Sequence, residues 1–282
     1  MTIHDLRREY HKNLCRDVIR DSKGFPNFAD GSNTSSRSIA NKIVERIGFE
    51  LGNQNIVEQT VGGRFETITK EFIEGAFQLL SHLRPGDWFY STTQTDIAGF
   101  EQYEHLAYLK SLVENDRSLA SALGGDYLIK PDIIIARYPV PDEPINLKER
   151  LVEADQTTST LTPLRQLNRQ TPQKLLHASI SCKWTIRSDR SQNTRTEALN
   201  LIRNRKGRVP HVMAITAEPL PTRIASLALG TGDLDCVYHF ALPELKSAIE
   251  DIQNIDQLDL LLSMIQGRRL RDISDLPFDL AI

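Results

Sequence analysis

Pro131-Asp132-Ile133-Ile134-Ile135-Ala136-Arg137 is a continuous apolar run closed off by Pro131 and Pro139, the pattern of a strand buried on both faces. A second strand is predicted over 176–185. In it Ser179, Ser181 and Lys183 alternate on one face while Ile180, Cys182 and Trp184 occupy the other. Outward from this pair, 211–217 and 236–240 read as further strands bounded by Pro210, Pro219 and the Gly230-Thr231-Gly232 turn. Apolar residues near a 3.6-residue period predict helices over 38–48, 65–83, 101–123, 193–206 and 243–266. The stretch 139–172 reads as a long loop. The sum is an α/β fold with a mixed central β-sheet flanked by helices.

A chain of 282 residues with 40% hydrophobic content can bury a sizeable core, in one large domain or in a domain with a small subdomain. No secretory signal is expected from the charged and polar first ten residues, and no run approaches the ~18 apolar residues of a membrane span. Cys15, Cys182 and Cys236 lie far apart, with no CxxC pair and no histidine at zinc-ligand spacing, so a reduced, cytoplasmic chain is expected.

The net charge of −3 argues against a polyanionic partner only if it is evenly spread. Between Lys183 and Arg208 eight basic residues stand against two acidic ones, an excess of six, which leaves −9 on the remainder. Such segregation fits a protein that meets nucleic acid with one face, although a solvated basic helix has the same composition.

Phosphodiester hydrolysis needs a metal to generate hydroxide, a carboxylate to hold it and a cation near the attacking water. Asp132 and Lys183 supply the last two, and Asp132 at the mouth of a buried strand must be solvated, paired or bound to a cation. Glu197 offers a second acid, beside the apolar stripe Ala198, Leu201 and Ile202. The alternative for Glu197 is structural: Thr194-x-x-Glu197 matches a capping box, in which the carboxylate only bonds back to its own helix.

A strand-borne Asp132 followed by a strand lysine resembles the nuclease superfamily written PD-(D/E)xK, in which two carboxylates and a lysine converge. Ser181 stands where the second carboxylate is normally found. The stretch Leu176-His-Ala-Ser-Ile-Ser-Cys-Lys-Trp-Thr-Ile-Arg-Ser-Asp-Arg190 is similar to the active-site and recognition strand of the NgoMIV restriction endonuclease family. So are Ala29-Asp-Gly-Ser-Asn-Thr34, Leu83-Arg-Pro-Gly-Asp-Trp88, Arg203-Asn-Arg-Lys-Gly-Arg208, Ala228-Leu-Gly-Thr-Gly232 and Asp272-Ile-Ser-Asp-Leu-Pro277. The resemblance covers most of the chain and implies one restriction-endonuclease-like domain over 1–282. The 139–172 loop matches poorly, and the Asp132 to Lys183 spacing differs slightly.

What the resemblance implies is a site whose second acid has moved from the strand to the following helix. Asp132, Lys183 and Glu197 are then the catalytic set, with Ser181 as the relic position and Glu66 as a further acid. Mg²⁺ is the implied cofactor, held by Asp132, Glu197 and the backbone carbonyl of Cys182; it usually takes one or two carboxylates plus waters and phosphate oxygens.

Arg187-Ser-Asp189-Arg190 offers two bidentate donors for guanine and one acceptor for cytosine amino groups. On charge alone it equally suits a surface ion cluster. The resemblance assigns it to the CCGG core in the major groove of double-stranded DNA, Asp30 and Arg223 to the outer C and G, and Ser32 and Gln59 to the minor groove. The implied target is GCCGGC, cut after the first G. A homotetramer of two dimers and a host methyltransferase are the implied partners. The other classes compatible with these residues are a site-specific DNA-binding protein without cleavage and a repair nuclease of the same superfamily. The apolar tail 276–282 suits either a subunit interface or closure of the monomer core.

Overall fold

Six strands form one sheet in the order β1 (Trp88–Ser91), β2 (Ile133–Arg137), β3 (Leu175–Lys183), β4 (His211–Thr216), β5 (Cys236–His239) and β6 (Leu270–Asp272). The first three pair antiparallel and the last four parallel, so the sheet is mixed as expected. In chain order the helices are α1 (Ile3–Asp17), α2 (Thr34–Ile47), α3 (Glu58–Leu79), α4 (Glu104–Asn115), α5 (Asp142–Ile145), α6 (Ser188–Asn204), α7 (Pro221–Ala228), α8 (Leu242–Asp251), α9 (Ile255–Gln266) and α10 (Leu276–Leu280). This computed structural model describes residues 1–53, 58–93, 96–115, 129–166, 173–230 and 232–282, leaving out the side chains at 58, 59, 114 and 188–191.

All four predicted strands form, with ends shifted by one or two residues. Ile133 to Ala136 are fully buried, as a strand with neighbours on both edges and helices over the sheet requires. The antiparallel ladder of β2 with β3 ends at Ile133 opposite Ile180. β3 runs three residues past that point in register with β4, through Lys183 opposite Thr216. The edge strands β1 and β6 were not predicted: β1 is only half-buried along its four residues and β6 has three, so neither carries the apolar run that marks the inner strands.

Helix boundaries moved where capping decides them. The helix expected from 38 begins at Thr34, because the Asn33 side chain accepts from Ser36 N at 2.9 Å, and it ends on Gly48 in the left-handed region. The helix expected over 65–83 starts earlier, at Glu58. That expected over 101–123 opens as a 3₁₀ turn, Glu101–Tyr103, before α4, and its residues from 116 lie outside the described residues. The helix expected over 243–266 is two: Gln253 has φ 54° and Asn254 caps a new start at Gln257 N. The polar N-terminus hid α1, which Thr2 and Asp5 open with a reciprocal capping box.

The 139–172 stretch, described to 166, contains α5 and a bridge of Val140 to Arg165. Buried Arg165 fastens it by donating to Asp142 Oδ1 and Oδ2, each at 2.6 Å, and to the Glu153 carbonyl at 2.8 Å. The tail closes the monomer core through buried Leu276 and Leu280, while burial keeps His177 neutral and its Nε2 bonds to the Leu280 carbonyl at 2.8 Å. No helix among the described residues is long and apolar enough to cross a membrane.

One ion cluster joins the chain's two ends. Arg7 donates from Nε to Asp272 Oδ1 at 2.8 Å and from Nη1 and Nη2 to Glu244 at 2.8 and 2.6 Å, tying α1 to α8 and β6. Asp272 also accepts from Leu242 N at 3.0 Å and from Ser274. Replacing Arg7 by alanine strands buried Asp272 and half-buried Glu244, so Arg7→Ala is expected to cost about 3 kcal/mol in urea unfolding.

Candidate active site and DNA interface

At the end of β2 Asp132 faces the part of β3 that has outrun its partner. Its Oδ2 accepts from Cys182 N at 2.7 Å and from Lys183 Nζ at 3.1 Å. The carboxylate thus continues the ladder with a side chain where β2 has no further backbone to offer. N–H and C=O of one strand residue lie on the same strand edge, so the Cys182 carbonyl shares the edge that faces Asp132. Ser181, half-buried, lies on the Lys183 side of the strand by alternation.

Two more acids line the same cleft and are coupled to this pair through their charges. Glu66, on α3, has its pKa raised to about 7 by burial and by the charge of Asp132, against the pull of Lys183. Glu197, on α6, is also raised, by burial and by Asp132, with Lys183 opposing. Both share a cleft of about 1580 Å³ with Asp132, Cys182, Lys183 and Arg187.

The capping-box alternative for Glu197 fails on the position of the helix start. α6 begins at Ser188 with Arg187 as N-cap, five residues before the expected start, so Thr194 is a buried helix-interior residue with no free helix end to cap. The first turns of α6 carry few apolar residues, which is why periodicity dated the helix late.

The donor chemistry suits a hard divalent cation. Carboxylate and carbonyl oxygens face one another, and the Cys182 thiol is held protonated, its pKa pushed well above the ordinary value by burial and by Asp132 and Glu66. Among the described residues no three His, Cys, Asp or Glu side chains converge as a metal group. The fit is therefore to an ion that takes one or two carboxylates with waters and substrate oxygens, and not to an all-protein cage.

The base-reading candidates divide into two groups along the same cleft. Arg187 is exposed at the N-cap of α6; Ser188, Asp189 and Arg190 form its first turn, with side chains outside the described ones, as is that of Gln59 on α3. The second group is joined. Arg223, on α7, donates from Nη2 to Asp30 Oδ2, and Asp30 Oδ1 accepts from Ser32 N at 2.9 Å and Ser32 Oγ at 2.7 Å. These bonds from Ser32, together with that from Arg223, lower the Asp30 pKa to about 2.

Sequence reasoning missed Glu218, a fully buried carboxylate between β4 and α7 that contacts Arg223 Nη1 at 3.8 Å. Its only signal was an acid at the end of an apolar strand, Ala214-Ile-Thr-Ala-Glu218, ahead of Pro219.

The sequence profile of the NgoMIV restriction enzyme family matches residues 10–282. The type II restriction enzyme NgoMIV of Neisseria gonorrhoeae is 50% identical over 282 residues, spanning 98% of this chain and 97% of that enzyme. Among solved structures, the type IIF restriction endonuclease Bse634I with cognate DNA aligns at a TM-score of 0.37 and 11% identity, over 88% of this chain and 91% of that one. A complex of the restriction endonuclease PspGI with substrate DNA aligns at 0.25 and 13%, over 99% and 92%.

Ionising Glu66 beside Asp132 costs stability. Because its folded-state pKa, about 7, lies above the ordinary 4.5, that cost is absent below about pH 4.5 and fully present above pH 7. In chelator, Glu66→Gln is expected to melt with the wild type at pH 4.5 and to exceed it above pH 7 by on the order of 1–2 kcal/mol, allowing for partial exposure. Parallel stability curves across that range would contradict the coupling of Glu66 to Asp132.

Proposed function

This chain belongs to the NgoMIV restriction enzyme family and is a type II restriction endonuclease, and we propose that it cuts both strands of duplex DNA at GCCGGC, after the first G, with Mg²⁺. The observation that carries the catalytic part is the convergence of the Cys182 amide and the Lys183 ammonium on Asp132 Oδ2, with Glu66 and Glu197 in the same cleft.

Asp132, Glu197 and the Cys182 carbonyl would hold the ion, whose chemistry when bound would be to lower the pKa of a water and offset charge on the phosphate. Lys183, fastened to Asp132 at 3.1 Å, keeps its ammonium in the cleft to stabilise the attacking water or the scissile phosphate. Glu66 is the further acid of the site, and Ser181 keeps the strand position from which the second carboxylate has moved.

Arg187, Asp189 and Arg190 read the CCGG core from the first turn of α6. Asp30 and Arg223 read the outer pair together: a G·C pair presents the guanine O6 and N7 acceptors beside the cytosine N4 donor, the complement of an arginine beside a carboxylate. Their mutual ion pair supports this assignment, since the two groups already sit side by side in the free protein. Ser32 and Gln59 approach the minor groove. We extend the reading to a single restriction-endonuclease domain over 1–282, a homotetramer of two dimers, a cytoplasmic setting and a host methyltransferase that protects the same site.

In a plasmid digest with Mg²⁺ the wild type is expected to cut at GCCGGC. Lys183→Ala and Glu197→Ala should each lose at least about 10³-fold in cleavage while still binding a GCCGGC duplex in a gel shift, as removal of a preorganised charge predicts. Glu197→Ala cutting at the wild-type rate would return Glu197 to a structural role. Faster cutting of two-site than of one-site plasmids is the outcome expected of a tetramer.

A further inference from the structure

Glu218 is a fully buried carboxylate on a loop, and each of its polar atoms is engaged. Oε2 accepts from Ile186 N at 2.9 Å and Oε1 from Leu220 N at 3.2 Å. Arg223 Nη1 lies 3.8 Å from Oε2. The backbone N of Glu218 donates to Thr216 Oγ1 at 3.1 Å. Its carbonyl is bonded to Nε2 of His239 at 3.2 Å, a histidine that burial keeps neutral while its Nδ1 accepts from Ala241 N at 3.1 Å. Pro219 and Pro221 follow it on either side of Leu220, each with its own φ fixed by the ring.

The partners matter more than their number. Ile186 directly precedes Arg187, the N-cap of α6 and the start of the core-reading segment. Leu220 is the N-cap of α7, which carries Arg223, and Arg223 is paired with Asp30. One carboxylate therefore holds the two helix starts that carry Arg187 and Arg223, with Asp30 joined to it through Arg223. A buried carboxylate is costly unless paired, and here two backbone amides and Arg223 offset that cost. Its retained use is the fixed register between two helix starts.

We propose that Glu218 is a specificity-positioning residue, which couples reading of the outer base pair by Arg223 and Asp30 to reading of the core from Arg187. The inference rests on the recognition scheme proposed above. Glutamine at 218 keeps one acceptor oxygen, sets an N–H₂ group against either the Ile186 or the Leu220 amide, and withdraws the negative charge behind Arg223. Arg223 then answers to Asp30 alone, and the outer pair loses its fixed distance from the core.

Cleavage by the full-length protein with Mg²⁺ is measured on three duplexes of common flanks: GCCGGC, ACCGGT with the outer pair changed, and GCATGC with the core changed. Glu218→Gln is expected to lose about tenfold of the preference for GCCGGC over ACCGGT, within the range one bidentate base contact provides, and to keep its preference over GCATGC within about twofold. In an Arg223→Ala background the same substitution should change the outer-pair preference no further. If Glu218→Gln does not fold, as a thermal melt would reveal, Glu218→Asp keeps the charge on a shorter arm and should lose part of the same ratio. A discriminating wild type whose Glu218 variants discriminate equally, or lose both preferences alike, overturns the inference alone. A wild type that cuts all three duplexes at one rate overturns the recognition scheme and the inference with it.

Discussion

The site depends on an unequal pair of strands. β2 begins only at Ile133, opposite Ile180, yet β3 continues to Lys183 because β4 supports it from the other side. The exposed edge of β3 then needs an acceptor, and Asp132 provides one by taking the Cys182 amide. The same oxygen takes the Lys183 ammonium, so a requirement of sheet closure also fixes the acid and the cation of the proposed chemistry. The parallel strands β3, β4 and β5 bring their carboxyl ends to this edge, where the loops into α6 and α7 begin, the usual place for a site in an open α/β sheet.

Electrostatics make that edge an unsettled environment in the protein alone. Asp132 has Lys183 as counter-charge, but Glu66 and Glu197 both enter the same space and both are pushed toward the protonated form. Three acids against one lysine is a surplus of negative charge that a divalent ion relieves. Farther along the cleft the balance reverses at Arg187. The acids and the arginines Arg187 and Arg223 thus line one groove, in which the proposed metal chemistry and DNA recognition lie side by side.

Buried polar groups divide the molecule's tasks. Arg7 with Glu244 and Asp272 closes the termini onto the sheet, far in sequence and without a part in the cleft. Glu218 does the comparable work at the cleft wall, joining two helix starts that sequence separates by more than thirty residues. In both cases the carboxylate accepts more than one hydrogen bond, as burial demands.

The sequence by itself determined the four inner strands, because their apolar runs, set off by prolines and the Gly230-Thr231-Gly232 turn, have a single way to be buried. It also determined the catalytic candidates Asp132 and Lys183, which sit at fixed places on those strands. The edge strands β1 and β6, the break at Gln253 and the early start of α6 were not legible: half-buried or three-residue edges carry no apolar run, and a helix turn that faces the cleft has no apolar stripe. That early start decided the most open question in the sequence, whether Glu197 caps its own helix. Local spacing matched a capping box equally well. Only the tertiary structure could decide, because a cap is defined by where the helix begins, and here contacts far from residue 194 set that beginning. The pairing of Asp30 with Arg223 and the hub at Glu218 belong to the same class, since long-range charge pairing leaves no trace in local sequence pattern.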